Sequence, residues 1–212
     1  MTSAIHLRYF FQGGDMSQTA SSVTPIATKI MLIRHAEKPP SNPPPHGVDN
    51  NGDHDKESLT IVGWQRAGAL VVFFAPSAGL FQNSEIATPA TIYASQVTTG
   101  SESERPQETV TPLIDKLGSG TVKLNFNFPK GQEQDVANSA MACSGVVLIC
   151  WEHQNIPDIT QNFPLSPNNP TPVPTAWPDG RYDVVWVFDL DSSGGYCFYE
   201  EPQLLLAGDG PI

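Results

Sequence analysis

Two short apolar runs, Gly145–Trp151 and Tyr182–Leu190, constrain the fold of this chain more than any other feature. Both are rich in Val, Ile and Trp and show little in-out alternation. That is the signature of strands covered on both faces. A sheet so covered needs helices on each side. Further strands are expected at Lys29–Ile33, Thr91–Ala94 and Tyr196–Tyr199. Helices are expected between them. One spans Thr60–Phe74, with Thr60 as N-cap and Val62, Leu70, Phe73 and Phe74 apolar. A second starts near Arg105, with Pro106 in its first turn and Pro112 kinking or ending it. A third covers Gln132–Cys143, with Gly145 as its stop. Strand and helix alternate through the first 150 residues. The expected fold is an α/β three-layer sandwich with a mostly parallel central sheet.

The 212 residues suit one domain, placed at 29–212 behind a flexible leader over 1–28. The leader lacks the continuous apolar core of a secretory signal. No apolar run approaches the ~18 residues of a membrane span. Cys143, Cys150 and Cys197 are odd in number and show no zinc-like spacing, so no disulfide framework or metal site is expected. A reducing, cytoplasmic setting is the simplest expectation. Two stretches interrupt the α/β pattern as surface loops: 39–57, with five prolines, and 157–179, with seven.

The charge balance, 11 Lys+Arg against 22 Asp+Glu, argues against nucleic acid or an anionic membrane as partner. Yet of only five arginines, two, Arg34 and Arg105, fall in segments that follow apolar strands and form the candidate site. Ligands bind at such carboxyl ends in open α/β sheets. Three segments share that layout. Ile30–Ile33 delivers Arg34-His35, Thr91–Ala94 leads through a Ser/Thr/Gly loop to Arg105, and Val146–Trp151 leads to Glu152-His153. If these strands are neighbours, two guanidiniums and two imidazoles converge at one sheet edge. Such a site would neutralise a phosphoryl dianion and offer a nitrogen nucleophile.

The run Leu32-Ile33-Arg34-His35-Ala36-Glu37-Lys38 resembles the Arg-His-Gly motif of the histidine phosphatase superfamily, which includes phosphoglycerate mutase-like proteins. Ser58-Leu59-Thr60 with Gly63 and Arg66-Ala67 is similar to that family's helix start. Tyr93-Ala94-Ser95 with Arg105 and Thr109, and then Val147–His153, resemble its later motifs in the same order over residues 29–160. The resemblance implies that His35 is the phosphorylated nucleophile. It implies that Arg34, Arg105 and His153 bind the phosphate of a small phosphorylated metabolite or other phosphoester, with no metal and no cofactor. Three departures stand out: Ala36 replaces glycine, the Ser95-to-Arg105 loop is longer than usual, and Glu152 and Gln154 flank His153. For the proton donor, Glu133 is preferred, followed by Glu152, with Asp135 also in the region.

The expected activity is metal-independent phosphomonoester hydrolysis through phosphohistidine. A phosphomutase or phosphotransferase of the same fold and a non-catalytic phosphate-binding domain are the alternatives. Several other residues read as structural. Arg66 is expected on a helix surface, and His46 and His54 in a solvated acidic loop. Trp177, Arg181, Asp183 and Trp186 are expected in packing at a late strand, and Leu204–Leu206 in the core.

Overall fold

A computed structural model describes residues 25–212. Most of the expected leader lies outside the described residues, but Ala27 and Thr28 belong to the first strand. The elements follow as β1 (Ala27–Arg34), α1 (Ile61–Phe74), β2 (Thr91–Ala94), α2 (Arg105–Leu117), β3 (Lys123–Asn125), α3 (Glu133–Met141), β4 (Gly145–Trp151), α4 (Ile156–Thr160), β5 (Val184–Leu190) and β6 (Tyr196–Pro202). The six strands form one sheet in the order β3-β2-β4-β1-β5-β6.

That sheet is mixed, which corrects the expectation of a mostly parallel one. The pairs β3-β2, β2-β4 and β4-β1 are parallel, whereas β1-β5 and β5-β6 are antiparallel. The reason lies in the Pro-rich stretch after α4. It runs to the far edge, where Leu165 bridges Tyr196, and returns so that β5 enters at the edge where β1 ends. The turn Asp191–Gly195 then forces β6 to run back, because so few residues cannot make a parallel crossover. Proline-rich segments carry no apolar period, so this return path leaves no trace in the pattern. The expected loop over 157–179 also opens within α4, where no helix was expected.

Strand alternation sorts the core onto two faces. Ile30, Leu32, Val147, Ile149, Val184 and Trp186 pack with Val136, Ala140, Ile156 and Ile159 of α3 and α4. Met31, Ile33, Leu148, Cys150, Val185 and Val187 pack with Leu70, Phe73 and Phe74 of α1 and Val110 and Leu113 of α2. These are the three layers expected of fully buried strands. Pro112 does not end α2, which continues to Leu117 and stops at Gly118, a glycine at φ 85°. The C-terminal leucines are core only in part: Leu205 packs half-buried against the α1/α2 face, whereas Leu204 is 49% exposed, at φ 52°. No described helix is long and apolar enough to cross a membrane.

The start of α1 is built tightly against the segment after β1. Thr60 caps the helix, its Oγ1 accepting from the Gly63 amide at 3.2 Å and donating to the Glu37 carbonyl at 3.1 Å. Gly63 is required by that approach, because a Cβ there would sit 2.5 Å from the Glu37 carbonyl oxygen. The 39–57 loop is pinned to the same helix by Trp64, whose Nε1 donates to the Val48 carbonyl at 2.8 Å. Gly63→Ala should therefore cost about 1–3 kcal/mol through forced overpacking. Gly68→Ala, in the same helix with nothing within 4 Å of its Cβ, should gain about 0.5–1 kcal/mol. Urea denaturation of the two variants checks both signs.

Candidate active site

The carboxyl ends of β2, β4 and β1 stop at one level, with Ala94 and Ile33 both opposite Cys150. The expected condition that these strands be neighbours is met. The β1-β4 ladder extends one residue further, as the His35 amide donates to the Trp151 carbonyl at 3.0 Å. Beyond this edge lies a cavity of about 420 Å³ whose walls include His35, Lys38, Glu57, Arg105, Lys130 and Glu152.

His35 is buried and its Nδ1 lies 2.7 Å from the Ala36 carbonyl oxygen. A carbonyl only accepts, so Nδ1 carries the proton and Nε2 keeps a free lone pair. Burial pushes the imidazole pKa down to about 3; the Ala36 bond opposes this, and the charges of Arg34, Arg105 and Lys38 add to it. His35 is therefore neutral at physiological pH. Thr109 fixes the segment, its Oγ1 accepting from the Ala36 amide at 2.9 Å and donating to the Arg105 carbonyl at 2.7 Å.

Arg105 reaches the same cavity from the first residue of α2 despite the long loop before it. Its Nε donates to the Ser58 carbonyl at 3.2 Å, one Nη to Ser103 Oγ at 3.1 Å, and the other to the Lys56 carbonyl, with Glu57 at 3.5 Å. Most of these acceptors are neutral, so the guanidinium keeps its charge for the cavity.

Arg34 and His153 lie elsewhere on the same edge. Period-two alternation puts Arg34, the last residue of β1, on the α3/α4 side, yet it stays near His35, whose ring centroid is 6.2 Å from that of Tyr182. The Arg34 guanidinium stacks 3.8 Å over the Tyr182 ring, donating to Tyr182 Oη at 3.1 Å and the Arg181 carbonyl at 3.2 Å. His153 is half-buried on that flank. Burial lowers its pKa, as do the charges of Arg34 and Lys38, while Glu152 and Asp179 oppose them. Arg34 Nε and His153 Nδ1 are both buried without a hydrogen-bond partner.

The carboxylates divide differently from expectation. Glu133 is buried behind the cavity wall, its Oε1 accepting from Trp151 Nε1 at 3.2 Å and the Gly131 amide at 3.0 Å. Asp135 is exposed on α3. Neither lines the cavity, whereas Glu152 does, 2.5 Å from Lys130 Nζ. Sequence reasoning missed three residues. Lys38 stood in the motif it singled out. Lys130 gave no signal beyond its Pro-Lys-Gly turn. Tyr182 opens an apolar run in the sequence and arrives here only because β5 is antiparallel to β1.

Arg66 also departs from expectation, being buried rather than on a helix surface. His46 and His54 stack at 4.5 Å between ring centroids, and among the described residues no group of three or more His, Cys, Asp or Glu is placed to hold a metal.

Because His35 binds fewer protons folded than unfolded between about pH 3 and 6.5, stability should rise with pH through that window and fall as acid is added. At pH 4.5 the penalty is roughly 2–3 kcal/mol. His35→Gln should lose correspondingly less stability than wild type between pH 7.5 and 4.5. Equal losses in urea titrations would contradict the buried neutral imidazole.

No protein-family profile matches the chain, and no curated protein matches it. Among solved structures, it is similar to a protein provisionally assigned as the phosphohistidine phosphatase SixA of Agrobacterium tumefaciens. The TM-score is 0.43 at 14% identity, covering 77% of this chain and 92% of that one. It is also similar to mycobacterial hydrolase 2, at a TM-score of 0.40 and 11% identity, covering 82% and 88% respectively. Likeness at this level has no bearing on the chemistry of the site.

Proposed function

We propose that the protein is a metal-independent phosphomonoester hydrolase that works through a phosphohistidine on His35. One observation carries this reading: a buried, neutral imidazole, locked by Ala36 into the tautomer that frees Nε2, faces a cavity supplied with the cations Arg105, Lys38 and Lys130. In the first step Nε2 attacks phosphorus and the bond to the leaving oxygen breaks. The Ala36 carbonyl, accepting from Nδ1–H, stabilises the positive charge that develops on the ring. Arg105 and the lysines neutralise the phosphoryl oxygens. Glu152 replaces Glu133 as the group that protonates the leaving oxygen, because it is the one on the cavity wall; it does so in its protonated form, once the substrate phosphate has drawn Lys130 out of the ion pair. In the second step water attacks phosphorus, gives its proton to Glu152, and the P–N bond breaks to return neutral His35 and free phosphate.

Arg34 and His153 serve from the flank. Their buried, unpartnered nitrogens are costly to leave unsatisfied, and an anionic ligand at the strand ends would supply acceptors. The substrate is a small phosphoester: the cavity offers Trp151 and Pro106 as its large apolar walls, and its other side chains are mainly polar.

Brief exposure to labelled phosphoester should give an acid-labile, base-stable adduct on the wild type and none on His35→Ala. An adduct surviving in His35→Ala would reject the assignment. Free phosphate should appear in step with the released alcohol; an isomerised ester without phosphate would point to a mutase, and binding without turnover to a phosphate-binding domain. Arg105→Lys should keep the fold and lose about 10²–10³ in rate, since an ammonium cannot reproduce the guanidinium fork. Glu152→Gln should slow esters with poor leaving groups far more than Glu133→Gln does. The reverse order, in parallel kcat measurements, would restore Glu133 as donor.

A further inference from the structure

The C-terminal segment after β6 folds back onto the sheet edge and is gripped by two arginines. Arg66 directs all five of its N–H bonds at three side chains. It donates to Glu37 Oε1 at 2.9 and 2.8 Å, to Asp209 at 2.7 and 3.1 Å, and to Gln203 Oε1 at 3.0 Å. Asp209 also accepts from the Leu205 and Leu206 amides at 2.7 and 3.0 Å, which closes the segment into a loop. Arg181 holds the next residues, donating to the Gly210 carbonyl at 2.7 Å and to Asp183 at 2.6 and 3.0 Å.

Both grips lead to the residues flanking His35. Arg66 holds Glu37, two positions after it. The backbone carbonyl of Arg181 holds the guanidinium of Arg34, one position before it. The side chains of Arg66 and Asp209 are only 4% and 5% exposed, so this ion pair is shielded from the screening that weakens surface pairs. Neither residue lines the cavity, so neither touches a reacting atom. Burial alone would depress the Arg66 pKa, and the bonds to Asp209 and Glu37 outweigh it and raise it.

We propose that Asp209 is a positioning residue for the His35 site, acting through Arg66 and Glu37 to hold the segment 34–37 in place. The proposal rests on the reading of His35 as the nucleophile. With Asp209 neutralised, Arg66 keeps one carboxylate partner instead of two, and the guanidinium that holds the Glu37 side chain is itself held less firmly. A misplacement of about 1 Å at a reacting group costs on the order of 10²-fold in rate.

The test compares Asp209→Asn with Phe163→Leu, a core change where Phe163 packs on Phe188 and Tyr196, at the end of the sheet opposite the site. Turnover of p-nitrophenyl phosphate is measured alongside the titration of the His35 ring by NMR. Asp209→Asn should lower kcat by roughly tenfold to a hundredfold with KM within twofold. It should also move the His35 titration upward from about 3 towards the ordinary histidine value, as water reaches the ring. Phe163→Leu should lower the melting temperature and leave both readouts unmoved. A wild-type His35 titration in Asp209→Asn, or a kcat within threefold of wild type, overturns the proposal. Should the wild type turn over no phosphoester, the hydrolase reading fails by itself, and the His35 titration still decides the role of Asp209.

Discussion

The backbone hydrogen bond from the His35 amide to the Trp151 carbonyl is the contact on which the rest of the site depends. It continues the parallel β1-β4 ladder past the last strand residues and sets where each chain leaves the sheet. Register in a sheet has a period of two, so a slip of one residue would exchange the faces of every side chain. His35 would then turn towards α3 and α4, away from Arg105. The pairing is secured by the apolar side chains of β1 and β4, which are buried on both faces. Hydrophobic burial therefore fixes the chemistry indirectly, by making any other register expensive.

A second constraint ties the helices to that edge. Thr109 bonds the Ala36 amide and the Arg105 carbonyl together, so the end of β1 and the start of α2 move as one body. Thr60 and Gly63 do the same for α1 and the Glu37 carbonyl. The segment 34–37 is thus held from both sides by polar groups that find partners inside the fold, as buried polar groups must. A rigid frame of this kind keeps an imidazole in one tautomer and one orientation, which a loop exposed to water would not.

Local charge runs against the net charge of -11. Arg105, half-buried, and Arg66, buried, illustrate two fates of a guanidinium. Arg105 is tethered largely by carbonyl and hydroxyl oxygens, which orient it without cancelling its charge. Arg66 lies between Glu37 and Asp209 and has no charge left to offer a ligand. The difference decides which arginine binds an anion and which only holds the structure.

Much of the frame was legible in the residues. The unalternating runs announced a covered sheet, Thr60 announced the start of α1, and Arg34-His35, Arg105 and Glu152-His153 stood at strand ends that are neighbours in space. These features are local: they depend on apolar period, capping chemistry and strand length, which a short window of sequence contains. The tertiary structure alone decided that β5 runs antiparallel, because the return of the chain is made by a proline-rich stretch with no periodic signal. It therefore decided that Tyr182 would meet Arg34. It also left Arg34 off the cavity wall that His35 lines, drew Arg66 into the interior through acids 29 residues before it and 143 after it, and put Glu152 on that wall in place of Glu133. The side a strand-end residue faces, and the partner a distant carboxylate finds, follow from packing between layers, and no short stretch of the chain carries that information.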